Sequence, residues 1–481
     1  MSNAKPTRRR EKGIAIILAC LTLLVTMPIA GLAVDLSMLY FIQTKLSTAL
    51  DSAVLAGARA LGSGSTPALQ TSNAQAAAQS YFSANFPTGF WHTTNLSFSP
   101  PAVSTAVPHY RTITASASVQ APLYFLRILG QSYSTVTASA QSSRRDAVVM
   151  LVLDRSSSMN YAMNGTTACA MMVADATAFL SNFAEGRDSV GLVVFGSSTY
   201  YVAPSTNFTS LTTLIPQVVC GGNTATASAL NVAYTQLKTA ATTSTANVIV
   251  LMTDGRPNGI DGNFTTLRLN PGSCDSSGAA LTGVLAQWAG GPYDTGSTAG
   301  LMKDTNTNIA IGNNEVAAGN STGCYFPSNL ANVSKDLYAI PPKDIFGNTL
   351  ATNYSVLNSS APYDAQAAIL TSVTDPRQII MASTNAADNQ ATAIRLDPTY
   401  NISIYCIGLE GTSPTDPPDT LLLQKIANDP SMQNSTNPTA QSFYTLQQGQ
   451  PAGYFALAPD PTQLGAAFSS IASQIVIRLS N

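Results

Sequence analysis

The sequence predicts an α/β protein: an N-terminal membrane helix, a small α+β region carried on it, then a doubly wound, mainly parallel sheet with a long insertion. Three observations lead there. Residues 13–34 carry no charge and follow a basic stub. Residues 111–142 contain two stretches that alternate small apolar with hydroxyl side chains, the period-2 mark of half-buried strands. From Asp146 onward, continuous apolar runs alternate with helical stretches, as strands buried on both faces of a parallel sheet do. At 481 residues the chain exceeds a single core, which rarely grows past about 250–300 residues.

Residues 1–12 hold Lys5, Arg8, Arg9, Arg10 and Lys12 against Glu11, a local net charge of +4 (five positive, one negative). The run GIAIILACLTLLVTMPIAGLAV follows, and about 20 apolar residues suffice to cross a bilayer as a helix. A cleaved signal peptide opens the same way. This run is longer than the usual apolar region of such a peptide and continues past Asp35 into LSMLYF, which favours an uncleaved anchor over 13–41. Basic residues stay cytoplasmic, so residues 1–12 form a cytoplasmic stub and the bulk of the chain lies on the far side of one membrane.

Within 42–145, IQTKLSTALDSAVLAGARAL continues the helix, with Leu46, Leu50, Val54, Leu55 and Leu61 at helical spacing. LQTSNAQAAAQSYFSANF reads as a second helix, and RTITASASVQ and YSTVTASAQS read as strands. The basic stub, the string GLAVDLSMLYFIQTKLSTALDSAVLAGARAL and the Thr/Ser/Ala strands together resemble the TadG-like proteins of Tad/Flp pilus assembly, relatives of pilin-like subunits. That resemblance implies a place in the bacterial inner membrane and a pilus or secretion machinery as partner. Processed prepilins carry Glu five residues after their cleavage point. Here the corresponding stretch is Ile14, Ala15, Ile16, Ile17 and Leu18, which speaks against processing and against a role as major pilin.

The apolar run AVVMLVL (147–153) leads directly into Asp154-Arg155-Ser156-Ser157-Ser158. Ligands of open α/β sheets bind at the carboxyl ends of strands, so a carboxylate and two hydroxyls converge where hard oxygen ligands suit Mg²⁺ or Ca²⁺. SVGLVVFG and NVIVLMTDG are further buried strands, the second ending in Asp254-Gly255. Between them Gly221-Gly222-Asn223-Thr224 opens the helical stretch ATASALNVAYTQLKTA, with Thr224 expected at its start. ISIYCIG supplies another strand, LLLQKIAND a short helix and PTQLGAAFSSIASQIVIRLS a closing helix.

Asp-x-Ser-x-Ser, Gly-Gly-Asn-Thr and Thr-Asp-Gly in this order resemble the metal-ion-dependent adhesion site of von Willebrand factor type A domains. The resemblance places such a Rossmann-like domain over 146–481, interrupted by an insertion over about 257–362. It implies that Asp154, Ser156, Ser158, Thr224 and Asp254 hold a divalent cation, Mg²⁺ or Ca²⁺, whose open position accepts an acidic group from a protein partner.

Of six cysteines Cys20 lies in the span and Cys406 in a short apolar run, while the four in polar exported segments, Cys169, Cys220, Cys274 and Cys324, allow three pairings. Cys169 with Cys220 and Cys274 with Cys324 are favoured, each closing a loop of about 50 residues within one region. Inside the insertion, Asp304, Asn306, Asn308 and Glu315 fall at positions of a calcium loop, although Ile309 stands where its sharp turn needs Gly. The insertion leaves the strand that carries Asp254 and is expected to overhang the metal face.

Composition narrows the function further. A net charge of −2 leaves no basic surface for nucleic acid. His92 and His109 are the two histidines of the chain, so catalysis centred on histidine has no material in the C-terminal two-thirds. The expectation is a membrane-anchored binding protein of pilus assembly or surface adhesion. The alternatives are a passive structural module and a serine hydrolase, for which no base and oxyanion constellation is visible.

Overall fold

The computed structural model describes residues 11–64, 66–163, 165–265, 280–287, 298–303, 339–350, 375–412, 417–434 and 446–479. Cys274, Cys324, Asp304, Asn306, Asn308 and Glu315 lie outside them. The chain divides into two compact units, one of residues up to 62 with 68–144, the other of 63–67 with 145–479.

The first unit is built on one long helix, α1 (Glu11–Ala60), which passes through Pro28 unbroken. Among the described residues it is the one helix long and apolar enough to cross a membrane. Residues 15–30 are exposed throughout. Farther along, Ile42, Leu46, Leu50, Ala53 and Val54 recur at helical spacing and are buried. They pack on β3 (Tyr110–Pro122), whose inward set Ile113, Ala115, Ala117, Val119 and Ala121 alternates with Thr and Ser. Strands β1 (Thr94–Phe98) and β2 (Ala102–Ser104) flank β3 antiparallel, and β4 (Tyr133–Arg145) also pairs with it. Helix α2 (Pro67–Asn85) adds Ala74, Ala78 and Phe82 to the same core. The small inward side chains let helix and sheet approach closely. At Gly57 a Cβ would come within 2.5 Å of Ile113.

The second unit is a doubly wound sheet. Its strands are β5 (Ala147–Asp154), β8 (Ser189–Phe195), β9 (Thr199–Ser205), β10 (Ala246–Thr253), β14 (Ser403–Leu409) and β15 (Tyr454–Ala458), in the order β15-β14-β10-β5-β8-β9. All neighbours are parallel except β9, which turns back antiparallel on β8. A short hairpin, β6 (Ala162–Met163) with β7 (Thr166–Thr167), precedes α3 (Ala168–Phe179). Every residue of β5 is buried. Val149, Leu151 and Leu153 face α3, α4 (Thr209–Leu214) and the closing helix, while Val148, Met150 and Val152 face α5 (Thr226–Leu237), α6 (Pro376–Arg395) and α7 (Thr420–Ala427). The closing helix is α8 (Leu464–Leu479).

Part of the expected insertion forms a second small layer. Strands β11 (Gly259–Thr265), β12 (Ala280–Gln287) and β13 (Thr298–Lys303) make an antiparallel sheet. Ile260, Phe264 and Leu285 share a core with Ile340 and Leu350, with Ala227 of α5 and with Ile379 and Ala386 of α6. These described stretches thus belong to the domain's packing.

The outer edge at β15 is tightly constrained. A Cβ at Gly453 would fall on the carbonyl oxygen of Ile404 and 2.6 Å from that of Ala427, to which the Gly453 N–H donates at 2.7 Å. Both obstacles are backbone, so Gly453→Ala is expected to cost about 1–3 kcal/mol, seen as a lower urea midpoint. An unchanged midpoint would show that this edge yields freely.

Candidate functional site

The chain leaves β5 toward one edge of the sheet and returns to β10 on the other side, so the carboxyl ends of β5 and β10 form the switch point where such sheets bind ligands. Asp154 closes β5 and Asp254 follows β10, both fully buried. Asp154 Oδ1 accepts the Ser156 backbone N–H at 2.7 Å, and Oδ2 accepts the Thr253 hydroxyl at 2.5 Å. On the facing side, Asp254 Oδ1 accepts the Ser158 hydroxyl at 2.8 Å and the Ser156 hydroxyl at 3.4 Å, with the two serine oxygens 3.0 Å apart. Four of the five expected residues therefore form one continuous network.

Thr224 lies across Gly255 from this network: a Cβ at Gly255 would sit 3.7 Å from Thr224 Oγ1 and 4.0 Å from Ser158 Oγ. The sequence places it at a helix start, yet α5 begins at Thr226 with Ala225 as the residue before it. Thr224 sits instead in the approach loop because its backbone is claimed elsewhere. Its N–H donates to Asn258 Oδ1 at 2.6 Å, and its carbonyl accepts the Asn258 N–H at 3.0 Å.

The loops are clamped to each other. Ser157 Oγ donates to the Gly222 carbonyl at 2.9 Å and accepts the Gly222 N–H at 3.0 Å. Asn160 donates to the Cys220 carbonyl at 2.9 Å, and Asn223 donates to Ser197 Oγ through both its backbone N–H and its side-chain amide. A disulfide joins Cys169, on the first turn of α3, to Cys220, one of the two expected pairs.

Burial pushes both carboxyls above the usual carboxylate range, and for Asp154 the neighbouring Asp254 charge pushes further. The hydroxyl and amide donors oppose this incompletely. Thr412, in the loop after β14, lies close enough to favour the charged Asp254, yet neither its hydroxyl nor Asp254 Oδ2 has a well-formed hydrogen bond. The buried Arg155 guanidinium donates to Ser198 at 3.2 Å, and Arg256 acts on Asp419. A buried pair of carboxylates beside an unsatisfied carboxylate oxygen fits a divalent cation by charge and by donor type. Among the described residues no group of three or more His, Cys, Asp and Glu side chains clusters to hold a metal ion, so a cation here would rest on two carboxylates, with hydroxyls and water as its further ligands.

Sequence reasoning gave Thr253 no role of its own within the Thr-Asp-Gly motif and missed Asn258 and Thr412. Thr253 carries a usable signal, since a hydroxyl residue ending an otherwise apolar buried strand has to find a polar partner. Asn258 and Thr412 reach the site from loops whose direction no local pattern fixes.

Comparison with family models matches residues 13–60 to the Flp pilus-assembly TadE/G-like family and residues 149–256 to the von Willebrand factor type A domain. No curated protein matches the chain. Among solved structures, a point mutant of the PilB minor pilin from Streptococcus sanguinis is 16% identical, with 80% of this chain and 78% of that one covered and a TM-score of 0.36. The pilus adhesin SpaC from Lactobacillus rhamnosus GG, in its open conformation, is 13% identical over 80% of this chain and 34% of its own, with a TM-score of 0.35. The vWF domain of the type V pili tip protein Mfa5 from Porphyromonas gingivalis is 17% identical over 70% and 97%, with a TM-score of 0.36. The chain thus carries a TadE/G-like segment at its N-terminus and, beyond it, a von Willebrand factor type A domain.

Proposed function

We propose that the protein is a membrane-anchored component of pilus assembly or surface adhesion, which binds a protein partner through a divalent cation held by Asp154, Ser156, Ser158, Thr224 and Asp254. The observation that carries this reading is the network of two fully buried carboxylates and two serine hydroxyls at the switch point of the sheet, with the Thr224 hydroxyl flanking Gly255 beside it. Mg²⁺ or Ca²⁺ bound there would offset the two negative charges and leave a position for an acidic group of the partner. The chain's own part is to orient: Thr253 fixes Asp154, Ser158 fixes Asp254, and Asn258 holds the Thr224 loop. The TadE/G-like match supports a pilus setting, with α1 anchored in the bacterial inner membrane, its N-terminus cytoplasmic and the domain outside. The reading is binding rather than catalysis: the serine hydroxyls and Asp254 are bonded to one another as a set of hard oxygen donors, the kind that holds a divalent cation.

Thermal unfolding of the full chain in detergent, chelated and then titrated with Mg²⁺ or Ca²⁺, tests the site. At one hundred times its dissociation constant a cation that binds only the folded state stabilises by about 2.7 kcal/mol. Wild type is expected to gain accordingly and Asp154→Ala to show no gain. If wild type gains nothing with either ion, the passive structural role replaces this reading.

A further inference from the structure

Asp35 lies at the end of the uncharged stretch of α1 and is buried. Its two carboxylate oxygens accept three successive backbone N–H groups, from Tyr124, Phe125 and Leu126, at 2.8–3.0 Å. Those residues open a turn between β3 and β4 that is rigidly closed: Leu123 donates to Ser132, Ile128 to Phe125, Gly130 to Arg127 and Gln131 to Leu126. Phe125 packs so closely on Gly31 that a Cβ there would overlap its ring. The turn is therefore fixed at a definite height on α1.

What the turn displays is apolar. Ile128 is 84% exposed and Leu129 77% exposed, beside the exposed Tyr124 and Phe125. A second aromatic group flanks α1 from the height of Asp35 outward to Phe41. Trp91 borders a groove with Val34, Met38 and Phe41, and its ring meets Phe41 edge-on at 5.3 Å. Trp91 and His92 hold left-handed backbone angles, φ 47° and 59°, a strained conformation for residues other than glycine that needs compensation elsewhere.

Helix length says what covers this surface. From Gly13 to Gly31 α1 rises about 27 Å at about 1.5 Å per residue, short of a hydrocarbon core about 30 Å thick. If the folded unit stopped at the water boundary, the bare helix would fall about 3 Å short and the bilayer would have to thin to meet it. Sinking the turn to the depth of Gly31 removes the shortfall and covers Ile128 and Leu129 together.

We propose that the 124–129 turn is a lipid-docking wedge, with Ile128 and Leu129 inserted into the bilayer, Tyr124, Phe125 and Trp91 at its interface, and Arg127 facing lipid phosphates. Asp35 is then a positioning residue that fixes the turn to the helix. The inference rests on the reading of α1 as a membrane span and is independent of the cation site.

The full chain carrying Cys20→Ala is reconstituted into phosphatidylcholine and phosphatidylglycerol vesicles, with a fluorescent label at one added cysteine, and the same chain without an added cysteine sets the background. Leu129→Cys is compared with Leu24→Cys in the span and with Val107→Cys. Val107 is exposed at the opposite end of the unit, where Arg111 donates to the Leu61 carbonyl. Spin-labelled lipids are expected to quench position 129 several-fold more than position 107, and shallow labels more than deep ones, with the reverse depth order at position 24. A position 129 that behaves like position 107, while position 24 is quenched, overturns the wedge. Shielding of position 129 from both lipid and aqueous quenchers also overturns it, in favour of a protein partner or a second copy. An unquenched position 24 removes the membrane span itself.

Discussion

Raising the pH of the chelated protein from about 5 to about 8 is expected to lower its unfolding midpoint, and saturating Mg²⁺ or Ca²⁺ is expected to remove most of that decline. The sign follows from the raised carboxyl of Asp154. The folded state holds its proton more tightly than the unfolded chain, so stability is greatest below the ordinary value of 3.8 and falls as pH rises from there to about 8. Asp254 contributes in the same direction. A cation takes the place of the protons and favours the charged pair, which flattens the slope. Asp175, Asp344 and Asp419 are raised by burial as well, so the informative quantity is the difference between chelated and loaded protein at each pH. Asp154→Asn should shrink that difference strongly. Parallel curves for chelated and loaded wild type would sink the idea.

Loss of the Cys169–Cys220 disulfide is the second large effect. The bond spans 51 residues of sequence, and cross-links over such loops stabilise by about 2–4 kcal/mol. The double variant Cys169→Ser/Cys220→Ser is expected to lose that much in urea unfolding without leaving a lone thiol behind. The bond also ends next to Gly221, whose N–H donates to the Arg155 carbonyl, and close in sequence to the Thr224 backbone held by Asn258. Cation affinity should therefore fall in the double variant although all five oxygen donors remain. A change below about 0.5 kcal/mol would mean the remaining hydrogen bonds alone order the loop.

Much of the fold was legible because burial on both faces leaves a plain mark. The apolar runs at 147–153, 189–195 and 247–252 became β5, β8 and β10. The alternation in 111–120 became β3, and the apolar helix continued into the folded unit as read. Of the site, the convergence of Asp154, Ser156, Ser158 and Asp254 was legible because each sits within a few residues of a strand end. Strand β9 was not, since Tyr200 and Tyr201 lie half-buried on an edge that shows no clean period. The layer of β11–β13 was also missed: its Gly, Asn and Thr content reads as loop, and its few apolar residues find cover only against Ala227, Ile379 and Ala386. Thr412 depends on a tertiary approach that no nearby residue announces.

The order of strands in the main sheet bears on how the domain assembles as it is made. Strands β5, β8, β9 and β10 all lie within residues 147–253, and they complete the Asp154 and Asp254 side of the sheet. The partner of β10 on its other flank, β14, begins only at residue 403. Until that much chain has been synthesised, β10 presents an unpaired parallel edge, the kind of surface that invites mispairing with neighbouring chains. The slow step of maturation should accordingly be the docking of β14, β15 and α8, and an assembly factor that shields a growing chain would have its greatest effect on the β10 edge.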